Sequence, residues 1–446
     1  MQPINRGRSS ALLVIAVAAA GAAGAQAQPK QVVKPPVAQA WIDVATFGGM
    51  PMGGAMGPGM GQGMGNMTLG ALMGGGRKAT AEFGYTQFGT TGRWMDVTLH
   101  TSRNPSLAEA LQGVPAGTQL APTLKLQAPE KPKPLPREKG VDEPEDWDYE
   151  PPKGKFVLYW GCSETVRPGQ PKVINLETAT LAELGKFFES RRATQRGTHA
   201  AVGRPVWPSK ADNRALPAGA TLVGQHSFTG QGVPESFKFD IPQAQDLMPE
   251  IKLRQTDQGG SILLEWDAIP HARAYFLGSM GSSESQGEDM TLVLWTSSEL
   301  PDSGMGLLDY QTNAAVDRWL RDKVLLPPTT TKCAVPKEAT GQGMLRAIAY
   351  GSNVDMAYPP RPTDPKIPWE PEWNVKVRVK SMTTTMFGMP EGGGMPGMEG
   401  ADTEGMTDAP PAEEGAQAPP PAEEKKKKSK WNPLDVVKEA VDKIPH

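Results

Sequence analysis

The sequence predicts a mainly β fold, in which two related β-sandwich units each carry one short helix and disordered Gly/Met-rich and Pro-rich segments lie between and around them. Short runs rich in β-branched and aromatic residues recur along the chain, and turn residues separate them. Residues 156–174 and 276–293 repeat one order of strand, turn and strand. The 50 glycines and 44 prolines among 446 residues are concentrated in a few blocks, which is typical of ordered units joined by flexible chain.

The first residues have the three parts of a secretory signal peptide. Arg6 and Arg8 give a positive start, an apolar stretch covers 11–20, and Ala25-Gln26-Ala27 has the small-x-small pattern of a cleavage site. The apolar stretch is shorter than the roughly 20 residues that a helix needs to cross a bilayer. We therefore predict cleavage after Ala27, a periplasmic or secreted protein, and no transmembrane segment after cleavage.

The ordered parts are predicted mainly as strands, because their apolar residues alternate or form short β-rich runs. These strands are predicted at 41–46, 82–88, 94–101, 156–160, 172–176, 237–241, 262–266, 274–277, 291–295, 344–350 and 374–380. Helical spacing of apolar residues predicts two helices, over 180–191 and 313–324.

Composition divides the chain further, since segments with few bulky apolar residues cannot offset the entropy lost on ordering. The predicted divisions are a β region at 28–128 that contains a Gly/Met-rich loop at 47–76, a charged Pro-rich linker at 129–153, a first sandwich unit at 154–246 to which strands within 79–127 can contribute, a second unit at 247–387, a Gly/Met and Pro/Glu/Lys spacer at 388–430, and a C-terminal helix at 431–446.

The repeat that supports two units covers one hairpin in each unit. Phe156, a turn at Gly161-Cys162-Ser163-Glu164 and a second strand at 172–174 are echoed about 120 residues later by Phe276, a turn at Gly281-Ser282-Ser283-Glu284 and a strand at 291–293. An alternative register aligns Trp160-x-Cys162-Ser163-Glu164 with Trp295-x-Ser297-Ser298-Glu299. We prefer the first register, because it aligns two strands and the turn between them.

Two stretches resemble known sequences. The segment at 262–277, ILLEWDAIPHARAYFL, resembles the B and C strands of fibronectin type III sandwiches, in which a tryptophan on one strand and a tyrosine on the next enter one core. The resemblance implies an immunoglobulin or fibronectin III-like unit with Trp266 and Tyr275 buried together. More broadly, LYWGCSE, LLPPTTTKCAVP and AYPPRPTDP resemble strings in uncharacterised exported bacterial proteins, a resemblance that implies no function.

The two cysteines leave two interpretations open. Cys162 and Cys333 can form a disulfide in an oxidising compartment, or each can be a small buried apolar residue. A third hypothesis makes Cys162 a nucleophile that Glu164 helps to orient, with Ser282 or Ser283 as further candidates in a periplasmic hydrolase. None of the five histidines stands at a recognisable spacing from these residues, and no serine-hydrolase, zinc or phosphate-loop motif occurs in the sequence. We interpret 161–164 as a hairpin turn.

Methionines are concentrated in two glycine-rich segments. One contains Met50, Met52, Met56, Met60, Met64 and Met67, and the other contains Met386, Met389, Met395 and Met398. Thioethers are soft ligands that suit Cu(I), but drift of a low-complexity sequence gives the same composition. Each segment follows a predicted strand with a similar start, Phe-Gly-Gly-Met-Pro at 47–51 and Phe-Gly-Met-Pro at 387–390. We therefore expect these two strands to lie side by side and to send both segments out at one end.

The C-terminal residues predict a partner-docking helix on a tether. Its apolar face would consist of Trp431, Leu434, Val437, Val441 and Ile444, and the run KKKKSK precedes it. Asp435, Glu439 and Asp442 on the polar face disfavour binding to anionic lipid, so a protein of the cell envelope is the expected partner.

A net charge of −3 does not indicate binding to nucleic acid. No catalytic, cofactor-binding or metal-binding residue follows from a motif. The sequence thus predicts an exported, non-catalytic binding or scaffolding protein, with a periplasmic hydrolase and a Cu(I)-binding protein as alternatives.

Overall fold

The computed structural model describes residues 31–50, 83–88, 91–129, 154–283, 290–341 and 343–388. These residues form a mainly β structure. The strands are β1 (Ala38–Gly49), β2 (Gly92–Thr101), β3 (Glu109–Gly113), β4 (Thr123–Gln127), β5 (Gly154–Trp160), β6 (Lys172–Asn175), β7 (Val206–Trp207), β8 (Gly224–Thr229), β9 (Lys238–Ile241), β10 (Leu253–Asp257), β11 (Ser261–Trp266), β12 (Ala274–Ser283), β13 (Met290–Thr296), β14 (Lys332–Pro336), β15 (Met344–Tyr350), β16 (Val354–Tyr358) and β17 (Trp373–Met386). The helices are α1 (Tyr85–Phe88), α2 (Leu181–Phe187) and α3 (Asn313–Arg321).

Fourteen strands belong to one sheet, in the order β6-β5-β13-β12-β15-β17-β1-β2-β7-β4-β3-β8-β9, and β16 pairs with β17 beside this path. The pairs β1–β17 and β5–β13 are parallel, and the other pairs are antiparallel. The remaining strands form a small sheet in the order β10-β11-β14.

Alternation of side chains gives the large sheet two buried faces. On one face, Ile42, Val377 and Leu277 share a core with Leu264 and Val335 of the small sheet. On the other face, Phe276 packs in a cluster with residues of α3, and Phe156 packs in a cluster with residues of α2. The described part therefore has three layers: the small sheet, the large sheet, and a layer of helices and loops.

The two strands that precede the methionine-rich segments lie side by side, as expected. β1 pairs with β17 in parallel over its whole length, from Ala38 opposite Trp373 to Gly49 opposite Thr384. The backbone N–H of Met50 continues the ladder by donating to the carbonyl of Thr384 at 2.8 Å. Because the strands are parallel, Met50 and Met386 lie at the same end of the two paired strands.

Both predicted long helices are present, but each is shorter than predicted. α2 begins after Thr180, whose hydroxyl accepts from the N–H of Glu183 while the Glu183 carboxylate accepts from the N–H of Thr180, so a capping box fixes its start. α3 begins after Thr312, whose side chain accepts from the N–H of Ala315. Trp319 of α3 is 2% exposed, so packing holds this helix against the sheet.

The prediction of a strand over 82–88 is wrong where the structure describes it, because residues 85–88 form α1. The carboxylate of Asp96 accepts from the backbone N–H groups of Gly84 and Thr86 at 3.1 and 2.9 Å. These bonds satisfy donors at the start of the helical turn. A contact distant in sequence thus overrides the local preference for an extended chain.

The two-unit sandwich is not confirmed. β5 pairs with β13, β17 pairs with β1, and β3 pairs with β8, so strands from the predicted units and from the N-terminal region share one sheet. Trp266 and Tyr275 do enter one core, with ring centroids 5.5 Å apart. Their strands, β11 and β12, belong to different sheets and do not pair with each other.

Several predicted segments lie outside the described residues. They are the signal peptide at 1–27, most of the Gly/Met-rich loop at 47–76, the linker at 129–153 apart from Pro129, the spacer at 388–430 apart from Gly388, and the helix at 431–446. Among the helices that are described, none has the length and apolar character needed to cross a membrane.

Candidate functional site

Cys162 and Cys333 are joined by a disulfide, with their Cα atoms 5.0 Å apart and a sequence separation of 171. Cys162 lies just after β5, and Cys333 lies on β14 of the small sheet. Beside the disulfide, the N–H of Ser163 donates to the carbonyl of Ala334 at 2.8 Å. The covalent link therefore ties the β5–β6 hairpin of the large sheet to the small sheet.

The interpretation of 161–164 as part of a hairpin connection is confirmed, because β5 and β6 pair in antiparallel register on either side of it. Gly161 has a φ of +88°, which a residue without a side chain adopts at no steric cost. The Arg167 guanidinium donates to the carbonyl of Cys162 at 2.7 Å and forms an ion pair with Glu299. A disulfide sulfur has no thiolate, so Cys162 cannot act as a nucleophile in this state. Ser282, the corresponding residue of the repeat, is an exposed strand residue of β12.

A group of charged side chains lies in the middle of the large sheet, on the face that the helices cover. We call it the ionic cluster, and it consists of Asp43, Asp96, Asp309, Arg378 and Lys380. The Asp309 side chain is 40% exposed, and the other four residues are buried. Asp43 on β1 and Arg378 on β17 form a two-pronged ion pair, with Nε–Oδ1 at 2.7 Å and Nη2–Oδ2 at 2.6 Å. Both side chains are at most 5% exposed. Burial alone lowers the pKa of Arg378, but the paired carboxylate of Asp43 raises it above its usual value.

Asp96 lies on β2 directly opposite Asp43 and is fully buried. Its carboxylate accepts from the N–H groups of Gly84 and Thr86 and from the Thr86 hydroxyl at 2.5 Å. Burial raises the pKa of Asp96 to about 6; the bonds from Thr86 oppose that rise and the neighbouring Asp43 adds to it. Asp96 therefore titrates well above an ordinary aspartate.

The third part of the cluster surrounds Tyr310. Lys380 is 3% exposed and lies 3.3 Å from Asp309, and its Nζ is 4.3 Å from the centre of the Tyr310 ring. The Arg378 guanidinium approaches the same ring to 4.3 Å, and the Tyr310 hydroxyl donates to the carbonyl of Val44 at 2.9 Å. Burial lowers the pKa of Lys380 despite its partner Asp309. The ring and the carboxylate thus stabilise two cations that the fold has removed from water.

The cluster holds a covering loop in place. Thr198 donates to Asp43 from its N–H at 2.9 Å and from its hydroxyl at 2.7 Å. Arg378 donates to the carbonyl of Gln195 at 2.7 Å. A Cβ atom at Gly197 would overlap the Arg378 guanidinium, so the close approach of the loop needs glycine there. The cluster therefore anchors this loop to the sheet, and its members Asp43 and Asp96 are fully buried.

Two of the described histidines are buried, and their contacts are with neighbouring backbone and side-chain groups of the fold. His226 is fully buried between the carbonyl of Leu222 at 2.8 Å and the side chain of Gln112 at 3.3 Å, and burial lowers its pKa. His199 is 5% exposed, lies 2.8 Å from the carbonyl of Gly197 and packs edge-on against Trp41.

Of the six methionines that the sequence offers as candidate metal ligands, only Met50 lies in the part of the chain that the structure describes. Met50 lies at the end of β1, whereas Met52, Met56, Met60, Met64 and Met67 lie outside the described residues. Where side chains are described, no three histidine, cysteine or acidic residues converge as a metal site would require. The docking residues Trp431, Leu434, Val437, Val441 and Ile444 also lie outside that part of the chain.

Sequence reasoning missed the ionic cluster, although a signal for it is present. Asp43 interrupts an otherwise apolar run, AWIDVATF, and Arg378 and Lys380 occupy alternate positions of β17. Charged residues are almost never fully buried unless they are paired, so a charge inside an apolar strand indicates a buried partner.

Comparisons with protein-family models, with curated proteins and with solved structures each find no match to this chain.

Proposed function

We propose that this is an exported, non-catalytic binding or scaffolding protein of the cell envelope, in which a β body carries a C-terminal helix that docks on an envelope protein. The observation that carries the proposal is the parallel pairing of β1 with β17. It places Met50, in the Gly/Met-rich segment, and Met386, just before the tether, at the same end of the two paired strands. The composition of both segments favours extended, flexible arms.

The position of β17 suits an anchor for such a tether. β17 has 14 residues and lies between β15 and β1 inside the large sheet. A load on the tether is therefore carried by interstrand hydrogen bonds on both sides and by the buried pair of Arg378 with Asp43. The disulfide supports an exported setting, because such bonds persist in oxidising compartments.

The docking helix is tested by changing its apolar face in the full chain. Leu434→Asp with Val441→Asp removes two residues of that face, and we expect recovery of the envelope partner from a solubilised envelope extract to be lost. The matched control, Asp435→Asn with Asp442→Asn, changes the polar face and should leave recovery unchanged. Quantitative mass spectrometry of the captured proteins is the measurement. Equal recovery with all three proteins would contradict the proposal.

Cu(I) binding is a second candidate function, because both methionine-rich segments start at the same end of β1 and β17. Met50 directly follows β1 and Met386 ends the neighbouring β17, so the two methionine-rich segments start at the same end of the paired strands. Thioethers are soft ligands that suit Cu(I). Replacing Met50, Met52, Met56, Met60, Met64 and Met67 by leucine keeps size and apolar character but removes the soft ligands. We expect weaker Cu(I) binding in competition with a chromogenic chelator. Unchanged affinity would exclude these ligands.

A further inference from the structure

The two cysteines of the disulfide differ in their access to solvent. Cys333 lies on β14, is 2% exposed and belongs to the core shared by the two sheets together with Leu264, its direct neighbour on β11. Cys162 is half-buried and lies in the connection between β5 and β6, close in sequence to the exposed residues Glu164 and Thr165. Because access decides which sulfur of a disulfide is attacked, a thiol that arrives from solvent meets Cys162 first.

Hydrogen bonds on both sides of Cys162 hold it in place independently of the sulfur–sulfur bond. Before it, the N–H of Gly161 donates to the carbonyl of Thr296 at 2.8 Å. After it, the N–H of Ser163 donates to the carbonyl of Ala334 on β14 at 2.8 Å. Breaking the disulfide removes none of these groups, so the reduced form keeps its two thiols close together.

The hairpin that carries Cys162 also has a firm place in the large sheet. β5 pairs with β13 over all seven of its residues and contributes Phe156 to the buried cluster that includes residues of α2. The Arg167 guanidinium donates to the carbonyl of Cys162 at 2.7 Å and forms an ion pair with Glu299, which ties the connection to the chain that follows β13. We therefore expect the reduced protein to remain folded, with lower stability and with a preorganised pair of thiols.

We propose that this disulfide is a thiol–disulfide exchange site, at which Cys162 is the sulfur that bonds to an external thiol or disulfide. In opening, an external thiolate bonds to Sγ of Cys162 while the bond to Cys333 breaks, and Cys333 leaves as a thiolate that takes up a proton. A second external thiolate then bonds to the first external sulfur and releases Cys162 as a thiolate. The two cysteines thus gain two electrons, and the two external thiols become a disulfide. Closing is the reverse: the Cys162 thiolate displaces one thiolate from an external disulfide, and the Cys333 thiolate displaces the other.

Access, and not the acidity of the departing thiol, selects the attacked sulfur. The apolar surroundings of Cys333 disfavour its thiolate, which makes its departure slow. Attack on Cys333 itself would require the small sheet to move away from the large sheet, because a close-packed interior has no room for an entering thiol. The exchange site is independent of the docking of the C-terminal helix.

The first test uses the unaltered protein. Oxidised wild type is incubated with reduced glutathione in native buffer, quenched with acid, digested and mapped by mass spectrometry. We expect glutathione on Cys162, while the near-ultraviolet circular dichroism remains that of the folded protein. In a parallel reaction, a thioredoxin whose second cysteine is serine replaces glutathione, and its trapping on Cys162 shows whether a protein, as well as a small thiol, reaches the site. No adduct in either reaction, adducts mainly on Cys333, or adducts only after the protein has unfolded would overturn the proposal.

Single variants compare the two sulfurs directly. Cys333→Ser leaves Cys162 without a second thiol, so oxidised glutathione should form a lasting adduct on it. Cys162→Ser leaves Cys333 in the core, and its adduct should form at least about tenfold more slowly in native buffer. In urea that unfolds both variants, the two rates should become equal, which assigns the difference to the fold. Equal rates in native buffer, with both variants folded by circular dichroism, would refute the assignment; should either variant fail to fold, the wild-type reaction decides.

Discussion

Asp43 and Arg378 face each other across the β1–β17 pair, in strands that are otherwise rich in apolar side chains. Two charges in this position are stable only because each satisfies the other and because Thr198 and Gln195 supply further hydrogen bonds. Asp96 lies on β2, the strand next to β1. It accepts hydrogen bonds from Gly84 and Thr86 but forms no ion pair with a cation of the cluster. Asp43 and Asp96 therefore have different partners although they share one buried face.

Asp96 makes stability depend on pH in a defined direction. The pKa of Asp96 is about 6 in the folded protein, above the ordinary value of 3.8 that applies when the chain is unfolded. Between these values the folded state binds more protons, so the free energy of unfolding falls as pH rises from 4 to 6. Relative to Asp96→Asn, we expect the wild type to lose about 2 kcal/mol between about pH 4 and 6 and to level off above about pH 7. Urea unfolding at a series of pH values measures the difference, and a difference that stays flat or rises would contradict the expectation.

The β5–β6 and β12–β13 hairpins are adjacent elements of one sheet, because β5 pairs with β13. Phe156 and Phe276 of the predicted repeat both lie under a helix: Phe156 packs with Leu184 and Phe188, and Phe276 packs with Val316 and Trp319. Both hairpins thus show the order of strand, connection and strand, but the turn predicted at 281–284 is wrong for residues 281–283, which lie in β12 and pair with β13. The repeat does not close into two cores, since the second strand of one hairpin pairs with the first strand of the other.

The disulfide contributes stability at the element scale by joining the β5–β6 hairpin to β14. A double variant, Cys162→Ser with Cys333→Ser, should lower the free energy of unfolding by about 2–5 kcal/mol, because the open chain gains entropy when it unfolds. Denaturant unfolding measures the change. A reductant should destabilise the wild type and leave the double variant unaffected, and indifference of the wild type to reductant would contradict this role.

The strands with the clearest pattern were predictable. β11, β13 and β15 were located to within a residue or two, because alternation and β-branched composition reflect a pleated surface with a buried side. Shorter strands such as β3 and β7 were not predicted, since two to five residues do not show a period. Residues 83–88 were predicted as a strand and form α1 in part, because Asp96 supplies acceptors that no local pattern reveals.

At the scale of the whole molecule, the large sheet joins strands that are far apart in sequence. β1 pairs with β17 across more than 300 residues, and β3 pairs with β8 across more than 100. Neither half of the chain contains all the pairing partners of its own strands. The described strands therefore depend on one another for pairing and for burial.

This dependence predicts that the fragments proposed as separate units do not fold alone. Residues 154–246 expressed alone lack β13 and β3, and residues 247–387 lack β5 and β1. We expect both fragments to show the near-ultraviolet circular dichroism of unfolded chains, whereas the full protein should unfold in one transition by circular dichroism and by tryptophan fluorescence. A stable, folded 154–246 fragment would contradict this view and restore the two-unit sandwich.

The sequence by itself determined the mainly β class, the positions of most long strands and the side-by-side course of the strands that precede the two methionine-rich segments. These features are encoded locally, in side-chain period, turn residues and matching strand ends. Only the tertiary structure decided which strands pair and that Asp43 meets Arg378. Those outcomes depend on contacts between residues that are distant in sequence. The periodicity of side chains along a strand does not show which distant residues meet in the folded chain.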